Sequence, residues 1–338
     1  MTSYDISKSY DWNYDQAPAE PPRVTESPVP GSWDFCGIPV ASPLGVPAGP
    51  LLNGRWIRYY AALGFDVLTY KTVRSRYRAC YDLPNLLPVK AEPLQGEGST
   101  LRAAAFGDSW AISFGMPSKD PSEWRADVEA TRRSLPPGKV LVVSVVASPE
   151  PGWTIDDVAR DFALCARWAV EAGADVVEPN LSCPNVCTQE ADLYLSPEAS
   201  GQIAAAVRDA VGKIPVALKT GLFGHREQAA AVIAAVAPHA NAVSSTNSIT
   251  ARVEGEFGGL RRGIGGACIT ARCLAELRML GEIVRASPAG LRLIGVGGVS
   301  NARDVRDRLA AGAHHVQIAT AAMLDPTVGL RIREELAR

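Results

Sequence analysis

The chain has 338 residues, 47% of them apolar, and a formal net charge of -2 at pH 7. That length suits one large domain or two small ones, and the near-neutral charge gives no electrostatic reason to invoke nucleic acid or an anionic membrane. No apolar run approaches the roughly 18 residues that span a bilayer, and seven scattered cysteines without metal-ligand spacing fit reduced thiols in a cytoplasm, with no metal site.

Met1 to Pro30 is polar and proline-rich, without the charged and apolar regions of a signal peptide. Residues 1–34 therefore read as an extended arm, loose or laid over a neighbour, ahead of one domain at 35–338. Ile38-Pro39-Val40 and Leu44-Gly45-Val46 predict short strands, a helix follows from Asn53 to Leu63, and Phe65 to Lys71 is the next strand. From Thr72 to Pro117 no helical period appears, which predicts an excursion of loops and short strands over one face. Asp120 to Ser134 is a helix with Pro121 in its first turn.

A regular alternation then begins. Val140 to Val146 is a β-branched run suited to a strand buried on both faces, and Thr154 to Ala172 is a helix. Strands ending near Asn180, Lys219 and Asn247 alternate with helices starting at Ser196 and His225. A Gly-rich loop is expected from Gly255 to Gly266, then a helix from Thr270 to Ala286. A strand from Leu291, a helix from Asn301, a strand from His315 and a closing helix from Pro326 complete the chain. Eight strands, near residues 44, 67, 141, 176, 216, 243, 293 and 316, each followed by a helix, predict an α/β fold. The count favours a closed (β/α)8 TIM barrel of parallel strands over an open doubly wound sheet.

Function in such a barrel collects at the C-terminal strand ends. Read in order, these are Ala48-Gly49, Lys71-Thr72, Ser144, Asn180 with Cys183, Lys219, Thr246-Asn247-Ser248, Gly297-Gly298 and Ala319-Thr320. The richest stretch is Glu178-Pro179-Asn180-Leu181-Ser182-Cys183-Pro184-Asn185-Val186. Its carboxamides suit a planar ring bearing carbonyls and N–H groups, and its thiol can take or give a proton. The glycines after the last two strands let backbone N–H groups approach a phosphate.

Asn180-Leu181-Ser182-Cys183-Pro184-Asn185-Val186, with Gly263-Ile264-Gly265-Gly266, Gly295-Val296-Gly297-Gly298 and Gln317-Ile318-Ala319-Thr320-Ala321, resembles the dihydroorotate dehydrogenase family over roughly Ile38 to Leu336. The cysteine in the loop is similar to the class 1, soluble branch. The resemblance implies FMN over the barrel mouth, its phosphate on Gly297, Gly298, Ala319 and Thr320, with Gly266 lining it. Lys219 would face the N1/O2 side of the isoalloxazine, and Ala48, Gly49, Lys71, Thr72, Asn180 and Thr246 would complete the flavin site. Lys71 would also reach the substrate carboxylate, and Asn180, Asn185, Asn247 and Ser248 would hold the pyrimidine edge. Cys183 would act as the base in oxidising (S)-dihydroorotate to orotate while hydride leaves for flavin N5. A homodimer is implied too, with an external electron acceptor or a partner subunit.

Two segments depart from the family pattern. Ile112-Ser113-Phe114-Gly115-Met116-Pro117-Ser118 starts with Ile112 where an Asn is usual, and loss of one buried polar partner weakens binding by about 1–3 kcal/mol or marks another substrate. Val186-Cys187-Thr188-Gln189 also differs, in a loop expected to act as a lid. The alternatives are an FMN enzyme reducing another ene or dihydropyrimidine, a sugar-phosphate isomerase or aldolase using Lys71 or Lys219, and a non-catalytic sensor.

Overall fold

The computed structural model describes residues 4–90, 93–94, 100–182, 189–287 and 289–338. Its centre is a ring of eight parallel strands: β1 (Leu44–Val46), β2 (Val67–Val73), β3 (Val140–Val145), β4 (Val176–Pro179), β5 (Ala217–Lys219), β6 (Ala242–Ser245), β7 (Arg292–Val296) and β8 (His315–Gln317). Pairing runs β5-β6-β7-β8-β1-β2-β3-β4, and the bridges Val177 to Val216 and Asn180 to Lys219 join the two ends. The predicted TIM barrel is thus the observed architecture, with all eight strands where the pattern placed them. β2 and β3 are buried at every position, which is why β3 reads as a near-continuous β-branched run.

Several helices begin on side-chain caps. Asn53 accepts from Trp56 N, Thr154 and Asp157 form a reciprocal capping box, Ser196 precedes Pro197, and Asn301 accepts from Asp304 N. A hairpin of Trp33–Phe35 and Ile38–Val40 plugs the N-terminal end of the barrel. Its Phe35 is fully buried with Val67, Val140, Val176, Ala217 and Ala242, and its ring meets His315 edge-on at 4.9 Å. With that end filled, the opposite end of the barrel is the one left open.

There the chain builds a second, smaller barrel. Ile249–Val253 pairs with Arg262–Gly266, which pairs with Ser109–Ile112, then Leu86–Lys90, then Thr100–Ala103, and the last returns to Ile249–Val253. The expected excursion after β2 is present, but the expected Gly255–Gly266 loop ends in a strand, Arg262–Gly266, after a short 3-10 turn at Phe257–Gly259. Glycine lacks the side chain that marks a strand, so Arg262-Gly263-Ile264-Gly265-Gly266 reads as a loop. Close backbone approach explains it: a Cβ on Gly266 would collide with the Asp108 carbonyl oxygen.

The N-terminal arm is not simply extended. Tyr10–Asp15 is helical, capped by Ser9, and it lies on its own barrel rather than hanging loose. Tyr10 N donates to Asn85 Oδ1 at 3.0 Å, Trp56 Nε1 donates to Asn13 O at 3.0 Å, and Tyr4 and Tyr10 stand edge-on to Phe114. A short helix at Thr320–Leu324 was also not expected. Among the described residues no helix is long and apolar enough to cross a membrane.

Candidate functional site

Between the C-terminal strand ends and the small barrel lies a cavity of about 300 Å³. Every described residue expected to bind the flavin or the substrate lines it, whereas Ser144 lies beneath it. Ala48 and Gly49 follow β1, Lys71 and Thr72 close β2, Asn180 follows β4, and Lys219 ends β5. Thr246, Asn247 and Ser248 follow β6, Gly266 comes from the small barrel, and Gly297, Gly298, Ala319 and Thr320 follow β7 and β8. Cys183 and Asn185 lie outside the described residues, as does most of the expected lid loop, Val186, Cys187 and Thr188.

Strand geometry brings the polar groups together. Thr72 Oγ1 and Ser144 Oγ are 3.0 Å apart, and Asn180 Nδ2 makes long contacts to Thr72 Oγ1 (3.5 Å) and Met116 Sδ (3.6 Å). Asn180 Oδ1 accepts from Ser182 N at 3.2 Å, while Asn247 Nδ2 donates to Ser182 O at 2.7 Å. Both carboxamides therefore pin Ser182, the residue just before Cys183. Asn247 Oδ1 also accepts from Ser248 N at 2.9 Å.

Two lysines bring positive charge under the cavity. Lys71 and Lys219 are 6% and 5% exposed, and Lys71 Nζ lies 6.0 Å from the Phe114 ring centroid. Glu178, one residue deeper than the β4 mouth, is fully buried. Burial pushes its carboxyl up, against the opposing pull of the Lys219 ammonium and the Ser144 hydroxyl. Lys219 has no carboxylate within 4 Å among the described residues. A buried ammonium so placed favours an electron-rich ligand atom.

The opposite end is built to donate. At the turn after β7, no acceptor faces the Gly298 or Val299 N–H among the described residues. Neither glycine there tolerates a side chain: a Cβ on Gly297 would stand 2.5 Å from Cys273 Sγ, and both have positive φ. Gly49 is different, because a Cβ there would meet nothing within 4 Å and would project into open space. The wall supplied by the excursion is apolar, with Trp110, Ile112, Phe114 and Met116. Such a cavity suits a flat ring with an anionic tail.

Sequence reasoning missed several lining residues. Asp108 and Trp110 sit in the small barrel, and Asp325 and Arg331 form an ion pair at the rim after β8. Trp110 carried a weak signal, the alternation Ser109-Trp110-Ala111-Ile112. Arg331 carried none, since an arginine on a terminal helix reads as a solvated face.

Comparison with known proteins gives a consistent picture. A family model described as Dihydroorotate dehydrogenase matches residues 32–338. A dihydroorotate dehydrogenase of Dictyostelium discoideum is 32% identical over 97% of this chain and 95% of its own. A dihydroorotate dehydrogenase (quinone) of Arthrobacter sp. (strain FB24) is 28% identical over 89% and 83%, respectively. The catalytic subunit of a dihydroorotate dehydrogenase B (NAD(+)) of Solidesulfovibrio magneticus is 33% identical, over 53% of this chain and 58% of that one. Among solved structures, DHODH from Eimeria tenella in complex with ferulenol superposes with a TM-score of 0.76 at 18% identity, covering 94% and 86% of the two chains. That likeness bears on the fold alone.

Proposed function

The chain belongs to the dihydroorotate dehydrogenase family, oxidoreductases acting on a CH–CH bond, and from that premise we propose that it oxidises (S)-dihydroorotate to orotate with FMN, using Cys183 as base. The observation that carries this reading is the single cavity that gathers two buried lysines, two carboxamides and the glycine turn after β7. The residues fit FMN: the space beside Gly49 and the unmatched N–H groups of Gly298 and Val299 suit a ring and a phosphate at opposite ends. Bound there, FMN would take up the hydride released from C6 of the substrate.

The protein's own part is binding, orientation and proton transfer. Gly297, Gly298, Ala319 and Thr320 would hold the phosphate, with Gly266 beside them. Ala48, Gly49, Thr72, Asn180 and Thr246 would hold the ring, and Lys219 would place positive charge at its N1/O2 side. Lys71 would pair with the substrate carboxylate, and Asn180, Asn185, Asn247 and Ser248 would bind the pyrimidine edge. Cys183 would remove the C5 proton. A thiol of pKa about 8.5 needs help to ionise at neutral pH, so its loop must supply a cation or dipole. By holding Ser182 from two sides, Asn180 and Asn247 would also aim that loop.

The cysteine supports the class 1 branch, although similar proteins include quinone- and NAD-dependent kinds. Cytoplasmic residence and a homodimer belong to the same proposal; five described cysteines, all free thiols, support the former. One observation favours a second reading. Ile112, Phe114 and Met116 give the substrate side an apolar wall, so the enzyme would act on another dihydropyrimidine or activated alkene. Anaerobic titration with dihydroorotate, followed at the flavin band, separates the two. Bleaching that is lost in Cys183→Ala supports dihydroorotate; a yellow protein that stays oxidised favours the second substrate class.

A further inference from the structure

Behind the glycine turn lies a charged side chain that the mechanism above does not use. Arg308, on the helix Ala302–Ala310 that follows β7, is 1% exposed. Among the described residues no carboxylate lies within 4 Å of its guanidinium, and its partners are three carbonyl oxygens. Nη2 donates to Gly297 O at 2.5 Å and to Thr270 O at 3.5 Å, and Nη1 donates to Asp304 O at 3.1 Å. A buried guanidinium with no carboxylate in direct contact is costly, and burial lowers its affinity for the proton it carries, against the weaker pull of Asp304 and Asp307 on its own helix.

Its position explains what the cost achieves. Thr270 Oγ1 donates to Gly298 O at 2.7 Å, so both carbonyls of the Gly297–Gly298 turn are tied from the protein side. With the carbonyls held there, the turn's remaining N–H groups are left to a ligand. Gly295 packs against the arginine stem: a Cβ there would stand 3.0 Å from Leu277 Cδ2 and 3.4 Å from Arg308 Cβ. Arg331, the cavity-lining arginine at the rim, is already paired with Asp325.

We propose that Arg308 is the positioning residue that makes this turn selective for a phosphorylated ligand, by pinning the Gly297 carbonyl and placing a buried positive charge behind the donors. The proposal rests on the flavin reading above. Arg308 touches neither ligand nor substrate; it acts through the turn.

The test compares FMN with riboflavin, which differ only in the phosphate. Dissociation constants for each are measured by flavin fluorescence on reconstituting flavin-free full-length protein, for the parent, Arg308→Lys and Arg308→Gln, with circular dichroism as the folding control. The parent is expected to prefer FMN. Arg308→Gln should reduce that preference about tenfold, equivalent to about 1.4 kcal/mol, with riboflavin affinity little changed. Arg308→Lys keeps the charge and should retain most of the preference. Equal weakening of both flavins, or an unchanged ratio in folded Arg308→Gln, would overturn the proposal and leave the cofactor reading standing. A parent that binds neither flavin would remove both. If Arg308→Gln does not fold, Thr270→Val releases the other carbonyl; an unchanged ratio there would likewise count against the proposal.

Discussion

Lys219 and Glu178 lie close together near the barrel mouth. The ammonium lies in the wall of the cavity, while the carboxyl sits one residue deeper and burial drives it towards the neutral form. Lys219 lines the cavity, where it can act on a ligand. Replacing it with Met should leave a folded, flavin-binding protein whose reduction by dihydroorotate slows by about 10²–10³, the usual loss when one group stabilising developing charge is removed. Stopped-flow absorbance reads this directly, and an unchanged rate would take Lys219 out of the chemistry. At this scale the sequence was informative for residues at strand ends, because a lysine or asparagine closing an apolar run stands out. It was silent on Arg308. In Arg303-Asp304-Val305-Arg306-Asp307-Arg308 three arginines look alike, and only the helix's packing shows which one turns inward.

Elements that bury β-branched runs or start on capping side chains were legible, and those defined by backbone approach were not. Arg262–Gly266 is a strand because its glycines fit between Asp108, Ser109 and Ile112, a relation that no local pattern encodes. The hairpin plug also has a measurable electrostatic signature. His315, packed on Phe35, is wholly buried, and burial pushes its imidazole from 6.5 down to about 3. A depressed basic group stays neutral in the folded chain while it protonates in the unfolded one. Its contribution is therefore present above pH 6.5 and lost as pH falls towards 3. Urea unfolding of the parent should show an added slope of up to about 1.4 kcal/mol per pH unit across that window. His315→Gln should lack the added slope; parallel curves for the two proteins would show that His315 does not titrate in this window.

At the scale of the whole molecule, two barrels share one cavity, and they draw on the chain differently. The large barrel takes its strands in sequence order around the ring. The small one is assembled from residues 86–112, inserted after β2, and residues 249–266, inserted after β6. The strand Thr100–Ala103 pairs with both Leu86–Lys90 and Ile249–Val253, so the later segment closes a structure that the earlier one only begins. Synthesis runs from the N-terminus, and the roof over the cavity must therefore wait until both segments, and the glycine turn after β7, have left the ribosome. A nascent chain has no place to capture its ligand until nearly all of it exists. Stalled chains of 266 residues should carry no flavin, whereas chains extended through residue 338 should acquire it; co-purification of flavin with the shorter species would show that the first six strands of the large barrel suffice.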